Sequence, residues 1–138
     1  MPIIHVHLKK GTSLKHRESI KTAIHDAMKA VLGVPDDDYN QITYEHEPEN
    51  MIYDPNYFGV PRSEKMVFIG LVFNARPAQQ KQALFEKIAA NVVEYAGLRI
   101  EDVMMNIQET DPANWWAYAR TVDPKTGTDS RMSAPPAS

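Results

Sequence analysis

A chain of 138 residues, 43% of them hydrophobic, is long enough for one domain with a real core and too short for two. Its formal net charge of −3, with lysines and arginines scattered, argues against a nucleic-acid surface, and the absence of cysteine removes disulfides, thiol nucleophiles and cysteine-ligated metals. The apolar runs are too short to cross a bilayer and no basic-then-apolar leader is visible, so no membrane role is expected and the expected location is cytoplasmic.

The chain opens on Pro2, followed by Ile3, Ile4, Val6 and Leu8, a β-branched and apolar pattern that predicts a buried strand. Pro2 has two readings. It can simply begin the strand, where a missing N–H costs nothing. If the methionine is removed, it becomes a secondary amine fixed at a strand end, and an α-amino group titrates at roughly 7.7–8.0. After a turn at 9–13, with Thr12 or Ser13 as a helix cap, Ile20, Ala23, Ile24, Ala27, Met28 and Val31 predict an amphipathic helix over about 14–32. Gly33 suits the helix end and Pro35 stops continuation. Asp36, Asp37 and Asp38 lead into a second strand, 41–45, and the helical crossover predicts that it lies parallel to the first.

Residues 48–65, with three prolines and Gly59 among aromatics, predict a long loop. The run 66–73 is continuously apolar, as for a strand buried on both faces. Leu84, Phe85, Ile88, Ala89, Val92 and Val93 predict the inner side of a second helix ending at Gly97, and 103–107 a fourth strand. The segment from Gly33 to Asp38 is echoed by Gly97 to Asp102, and the strand beginning at Pro2 by one beginning at Met66; both offsets are 64 residues (97 − 33 and 66 − 2). Two tandem β-α-β units follow, an α+β fold with a four-stranded sheet and both helices on one face. Its bare face predicts a homo-oligomer. From 121 to 138 large apolar residues become scarce, so this tail is expected to be flexible or an arm over a neighbour, beside a domain spanning 1–120.

Two β-α-β units behind a proline at position two resemble the tautomerase superfamily, closest to its malonate semialdehyde decarboxylase group. The matching pieces are Gly33-Val34-Pro35 through Asp38 to Gln41, then Val67-Phe68-Ile69, then Arg76 with Gln80-Lys81, and Asp111 through Trp115. The likeness spans about residues 2–118 and implies a homotrimer. It implies Pro2 as catalytic acid or base, Asp38 as its assistant, Arg76 as the holder of a substrate carboxylate and Trp115 as an aromatic wall. The decarboxylase pattern carries a second arginine two residues before the first, where this chain has Asn74, which is counted with Arg76 and Trp115 among the candidate substrate-binding residues. Related dehalogenases carry a histidine on the first helix, where this chain has Met28.

The chemistry implied is keto–enol tautomerisation of a 2-oxo acid, in which Pro2 moves the proton and Arg76 polarises the carboxylate end. A cationic Pro2 with Asp38 activating water would instead suit decarboxylation or hydration of a short oxo acid. A non-catalytic binding trimer is the alternative of another class. Read singly, Arg76 is a helix-entry surface arginine, Asp38 a solvated turn and Trp115-Trp116 a packing pair. His5 and His7 share a strand face with no third ligand spaced to complete a metal site, and His46 is only a distant candidate. No phosphate loop and no serine motif is present, so cofactor-free chemistry on a small carboxylate is expected.

Overall fold

The computed structural model describes residues 2–117 and 119–127. Strand β1 spans Ile3–Lys9 and helix α1 spans Leu14–Leu32. The Ser13 side chain caps α1 by accepting from the His16 backbone N–H at 3.0 Å, and Gly33 ends it at φ 67°, the left-handed conformation that glycine adopts without strain. Strand β2 follows at Gln41–His46. Residues 48–65 are not featureless: a turn of 3-10 helix at Pro48–Asn50 precedes a two-strand hairpin, β3 at Asn56–Tyr57 and β4 at Val60–Pro61. The Asp54 carboxylate accepts from the Asn56 N–H at 2.8 Å to start the hairpin, whose tip Phe58 sits at φ 49° and is 88% exposed. Strands this short lack the alternating pattern that reveals strands in sequence.

Strand β5 spans Val67–Asn74, helix α2 Ala78–Ala96 and strand β6 Val103–Thr110. Gly97 ends α2 at φ 68°, repeating Gly33. The main sheet runs β2-β1-β5-β6, with β1 parallel to β2, β5 parallel to β6, and β1 antiparallel to β5 where the two units meet. This is the two-unit α+β architecture expected, with both helices on one face.

Ile4, Val6 and Leu8 of β1 and Val67, Ile69, Leu71 and Phe73 of β5 are buried beneath the helices, with Ile20 and Ile24 of α1 and Leu84 and Ile88 of α2. Burying each such side chain contributes roughly 1.5–3 kcal/mol, so this layer dominates stability. Val93, expected on the inner face of α2, is 39% exposed, and Asn91 is buried instead. The Asn91 amide meets the backbone directly, donating to the Ala23 carbonyl at 3.1 Å and so tying the two helices together. Burial of β5 alternates residue by residue. Its expected two-sided burial therefore does not occur within one protomer: Phe68, Gly70 and Val72 lie half-buried on the bare face.

Past β6, strands β7 (Trp116–Ala117) and β8 (Arg120–Thr121) form a small hairpin. Val122 is 1% exposed and its N–H bonds the Trp115 carbonyl at 3.3 Å. Asp123 caps the next turn through Oδ1, and Gly127 is buried. The start of the expected tail therefore packs on the domain, while 128–138 lie outside the described residues. Among the described residues no helix is long and apolar enough to cross a membrane.

Candidate active site

The strand directions decide which residues can meet. The N-terminal ends of β1 and β2 and the C-terminal ends of β5 and β6 lie at one edge of the sheet. That edge gathers Pro2, Asp38, Asn74, Arg76 and Trp115, which are up to 113 residues apart in sequence (115 − 2).

Pro2 is buried and has the parity of Ile4, so it belongs to the helix-covered face. Ile3 is opposite Val72, and continuing this antiparallel pairing by one residue sets Pro2 opposite Phe73. On the other side, Ile4 pairs with Gln41 and its N–H bonds the Asn40 carbonyl at 2.8 Å, which carries Pro2 alongside Tyr39, next to Asp38. Asp38 is 8% exposed, so it is no solvated turn residue, unlike its well-exposed neighbours Asp36 and Asp37.

Arg76 curls back over the same ring: its guanidinium carbon lies 5.8 Å from the Phe73 ring centroid. Nη1 donates to the carbonyls of Asn74 at 2.8 Å and Ala75 at 3.2 Å, and the Arg76 backbone N–H donates to Glu109 at 2.7 Å. Glu109 also holds Lys81 at 3.0 Å. The Arg76 N–H first and the Lys81 ammonium second keep the Glu109 carboxyl below its ordinary range. Arg76 is thus a half-buried cation anchored at its backbone and at one nitrogen.

Asn74 points the opposite way, to the bare face. Its Oδ1 accepts from the Thr110 hydroxyl at 2.9 Å and from the Trp115 indole N–H at 3.0 Å, and that indole N–H also reaches Thr110 Oγ1 at 2.8 Å. Asn74 and Thr110 meet because they are register partners at the ends of β5 and β6. Asp111 caps the short turn that returns Trp115 to them, accepting from the Ala113 N–H at 2.9 Å. Trp116, the second of the pair, is 70% exposed. Thr110, Phe73 and Glu109 were not singled out by sequence; only the strand register reveals them.

A second cluster covers the bare face. The His7 Nδ1 and His46 Nε2 atoms lie 2.9 Å apart, and His5 Nδ1 lies 2.9 Å from the Tyr44 hydroxyl. The rings stack, with His7 over Tyr44 at 4.4 Å between centroids. Burial first, and then the neighbouring His46 and His5, push the His7 pKa down. Among the described residues no three or more His, Asp or Glu side chains converge as a metal site.

The repeat gives a second view of Asp38. Its counterpart Asp102 (102 − 38 = 64) is 1% exposed, at the opposite sheet edge. Asp102 accepts from the Ser63 N–H at 2.7 Å and the Ser63 hydroxyl at 2.5 Å, so it turns its carboxylate toward the chain that enters β5. The same place in the first unit is the entry to β1, where Pro2 stands.

Comparison with known proteins identifies the family. Two family models, each described as tautomerase enzyme, match residues 38–116 and 2–61. The probable tautomerase YusQ of Bacillus subtilis (strain 168) is 31% identical over 116 residues, covering 83% of this chain and 91% of that relative. The crystal structure of FG41 malonate semialdehyde decarboxylase inhibited by 3-bromopropiolate superposes with a TM-score of 0.77 at 30% identity, covering 83% of this chain and 87% of the other. A fused 4-OT symmetric trimer shares the fold at 17% identity, with a TM-score of 0.72 over 87% of this chain and 94% of its own. With the two β-α-β units, the buried Pro2 and these matches together, the chain belongs to the tautomerase superfamily, near the malonate semialdehyde decarboxylase group.

Proposed function

We propose that the chain is a cofactor-independent tautomerase of 2-oxo acids, acting through Pro2 as a terminal secondary amine once Met1 is removed. The observation that carries this reading is the placement of buried Pro2 opposite Phe73, over whose ring the Arg76 guanidinium lies at 5.8 Å. A base and a carboxylate-binding cation thereby share one apolar wall.

In this reading Arg76 holds the substrate carboxylate through its planar fork. The Pro2 nitrogen takes the enol hydroxyl proton as the O–H pair forms C2=O and the C=C pair moves to C3. The same nitrogen then returns the proton to C3, leaving the amine unchanged. Asp38, buried beside the entry to β1, orients the amine by hydrogen bonding, and the Trp115 ring closes the apolar end. Apolar and aromatic side chains on the bare sheet face, among them Phe68, Val72 and Met104, support burial between subunits, and we place a homotrimer there.

The test is the ultraviolet conversion of phenylenolpyruvate to phenylpyruvate by the native chain and by Pro2→Ala, with intact mass measured on both. A chain one methionine lighter whose rapid conversion collapses in the variant supports the reading. Equal rates in both, or a retained methionine, overturn it. A second reading, decarboxylation or hydration of a short oxo acid, draws on the likeness to malonate semialdehyde decarboxylase and on the burial of Asp38. The two separate by pH: base catalysis by Pro2 loses kcat/KM as pH falls through its pKa, and acid catalysis loses it as pH rises.

A further inference from the structure

We infer that Asn74 is a positioning residue rather than a substrate ligand: it sets the Arg76 guanidinium and the Trp115 indole at a fixed separation, with Thr110 and Gly127 holding it in place. The inference rests on the proposed roles of Arg76 and Trp115 and adds what joins them.

Asn74 touches both groups through different atoms. Its backbone carbonyl accepts from Arg76 Nη1 at 2.8 Å, and its side-chain Oδ1 accepts from the Trp115 indole N–H at 3.0 Å. Thr110 closes the triangle, donating its hydroxyl proton to Asn74 Oδ1 at 2.9 Å while accepting from the same indole N–H at 2.8 Å. An amide oxygen has two lone pairs, and these two donors occupy both. The amide orientation follows: Oδ1 faces the indole and Nδ2 faces away.

Nδ2 meets the returning chain. A Cβ at Gly127 would stand 2.6 Å from Asn74 Nδ2, and Gly127 is at φ 68°, so only glycine lets the backbone lie this close. Gly127 is kept there by its N–H to the Asp123 carbonyl at 2.8 Å and by Val122, which is 1% exposed. The segment 122–127 therefore runs close beside the amide nitrogen and restricts how the side chain can turn. With its oxygen doubly bonded and its nitrogen close against the returning backbone, the half-buried Asn74 amide is held in one orientation. It replaces a second cation with a brace, and the site then suits a substrate with one carboxylate for Arg76 and an apolar end for the indole.

Thr110→Val, which removes a bond to Asn74 Oδ1, and Gly127→Ala, whose Cβ presses on Asn74 Nδ2, test this without replacing Asn74, Arg76 or Trp115, in a Trp116→Phe background so that a single indole reports. Each variant is expected to red-shift Trp115 emission and to raise KM for phenylenolpyruvate about tenfold, with kcat and its pH profile nearly unchanged. Thr110→Ser, which keeps the hydroxyl, restores both readouts. Thr110→Val and Asn74→Ala combined cost no more than either alone, because they break one network. If Asn74 were a ligand, Asn74→Ala would raise KM while Thr110→Val shifted emission but left KM at its native value, because the indole bonds Thr110 in either case, and an unchanged KM in Thr110→Val overturns the inference. Should the native chain turn over no substrate, the proposed function fails, and the emission shift still decides whether the indole is pinned.

Discussion

Asp38 and Asp102 occupy the same place in the two repeats, and their replacement by alanine should have opposite consequences. Asp102 is 1% exposed and accepts two hydrogen bonds from Ser63, at 2.7 and 2.5 Å, with the Arg99 guanidinium 3.7 Å away. A hydrogen bond to a charged group contributes about 1.5–3 kcal/mol net. Of the two Ser63 donors, the hydroxyl can turn to water, while the backbone N–H cannot, so Asp102→Ala should cost about 3 kcal/mol. For a domain of this size that is about 10 °C in Tm. Asp102→Asn retains one acceptor oxygen and should lose about half as much. On the proposed reading Asp38 serves the Pro2 amine instead of a backbone running through, so Asp38→Ala should cost under about 1.5 kcal/mol and remove most of kcat. Chemical denaturation at one fixed protein concentration, which matters if subunits associate, measures the first pair of numbers, and phenylenolpyruvate turnover the second. An Asp102→Ala loss below 1 kcal/mol, or equal stability losses at the two sites, would refute the reasoning from the repeat.

Three further outcomes are expected. Arg76→Ala removes a half-buried cation and its fork, and should raise KM for carboxylate substrates about a hundredfold, the equivalent of one or two charge-assisted hydrogen bonds; steady-state kinetics with an uncharged ester as control would show no such loss if the cation is the cause. His7 has its pKa pushed below 6.5 by burial and then by its histidine neighbours, so the unfolded chain binds the extra proton first as pH drops. Stability should therefore fall as pH falls from the ordinary histidine value toward the lowered one, and His7→Gln should make that fall shallower, leaving the part due to His16, whose pKa burial also lowers. Leu71→Ala, at a position 0% exposed between the strands and both helices, should cost 2–5 kcal/mol by urea denaturation; a loss under 1 kcal/mol would mean that the β5 core contributes less than its burial indicates.

Local chemistry was readable from sequence wherever a side chain acts on its own backbone or falls at a regular period. Ser13, Gly33 and Gly97 bound the helices because capping oxygens and left-handed glycines are short-range requirements, met within four residues. The 64-residue repeat gave the two-unit architecture. The short hairpin at 56–61, the outward turn of Val93 and the one-sided burial of β5 were not readable, since each depends on what packs across the element. The site divides the same way. Pro2 stood out by its position and Asp38, Arg76 and Trp115 through the family resemblance, but each of these four also had an ordinary surface or packing reading. Strand polarity alone brings the start of β1 to the end of β5, and strand register alone pairs Asn74 with Thr110 and His7 with Tyr44 beside His46. Sequence by itself determined the periods, caps and repeat, which are properties of neighbours along the chain. Tertiary structure decided the partners of Arg76, Asn74 and Asp102, because hydrogen bonds between residues 33 to 41 positions apart exist only once the sheet has closed.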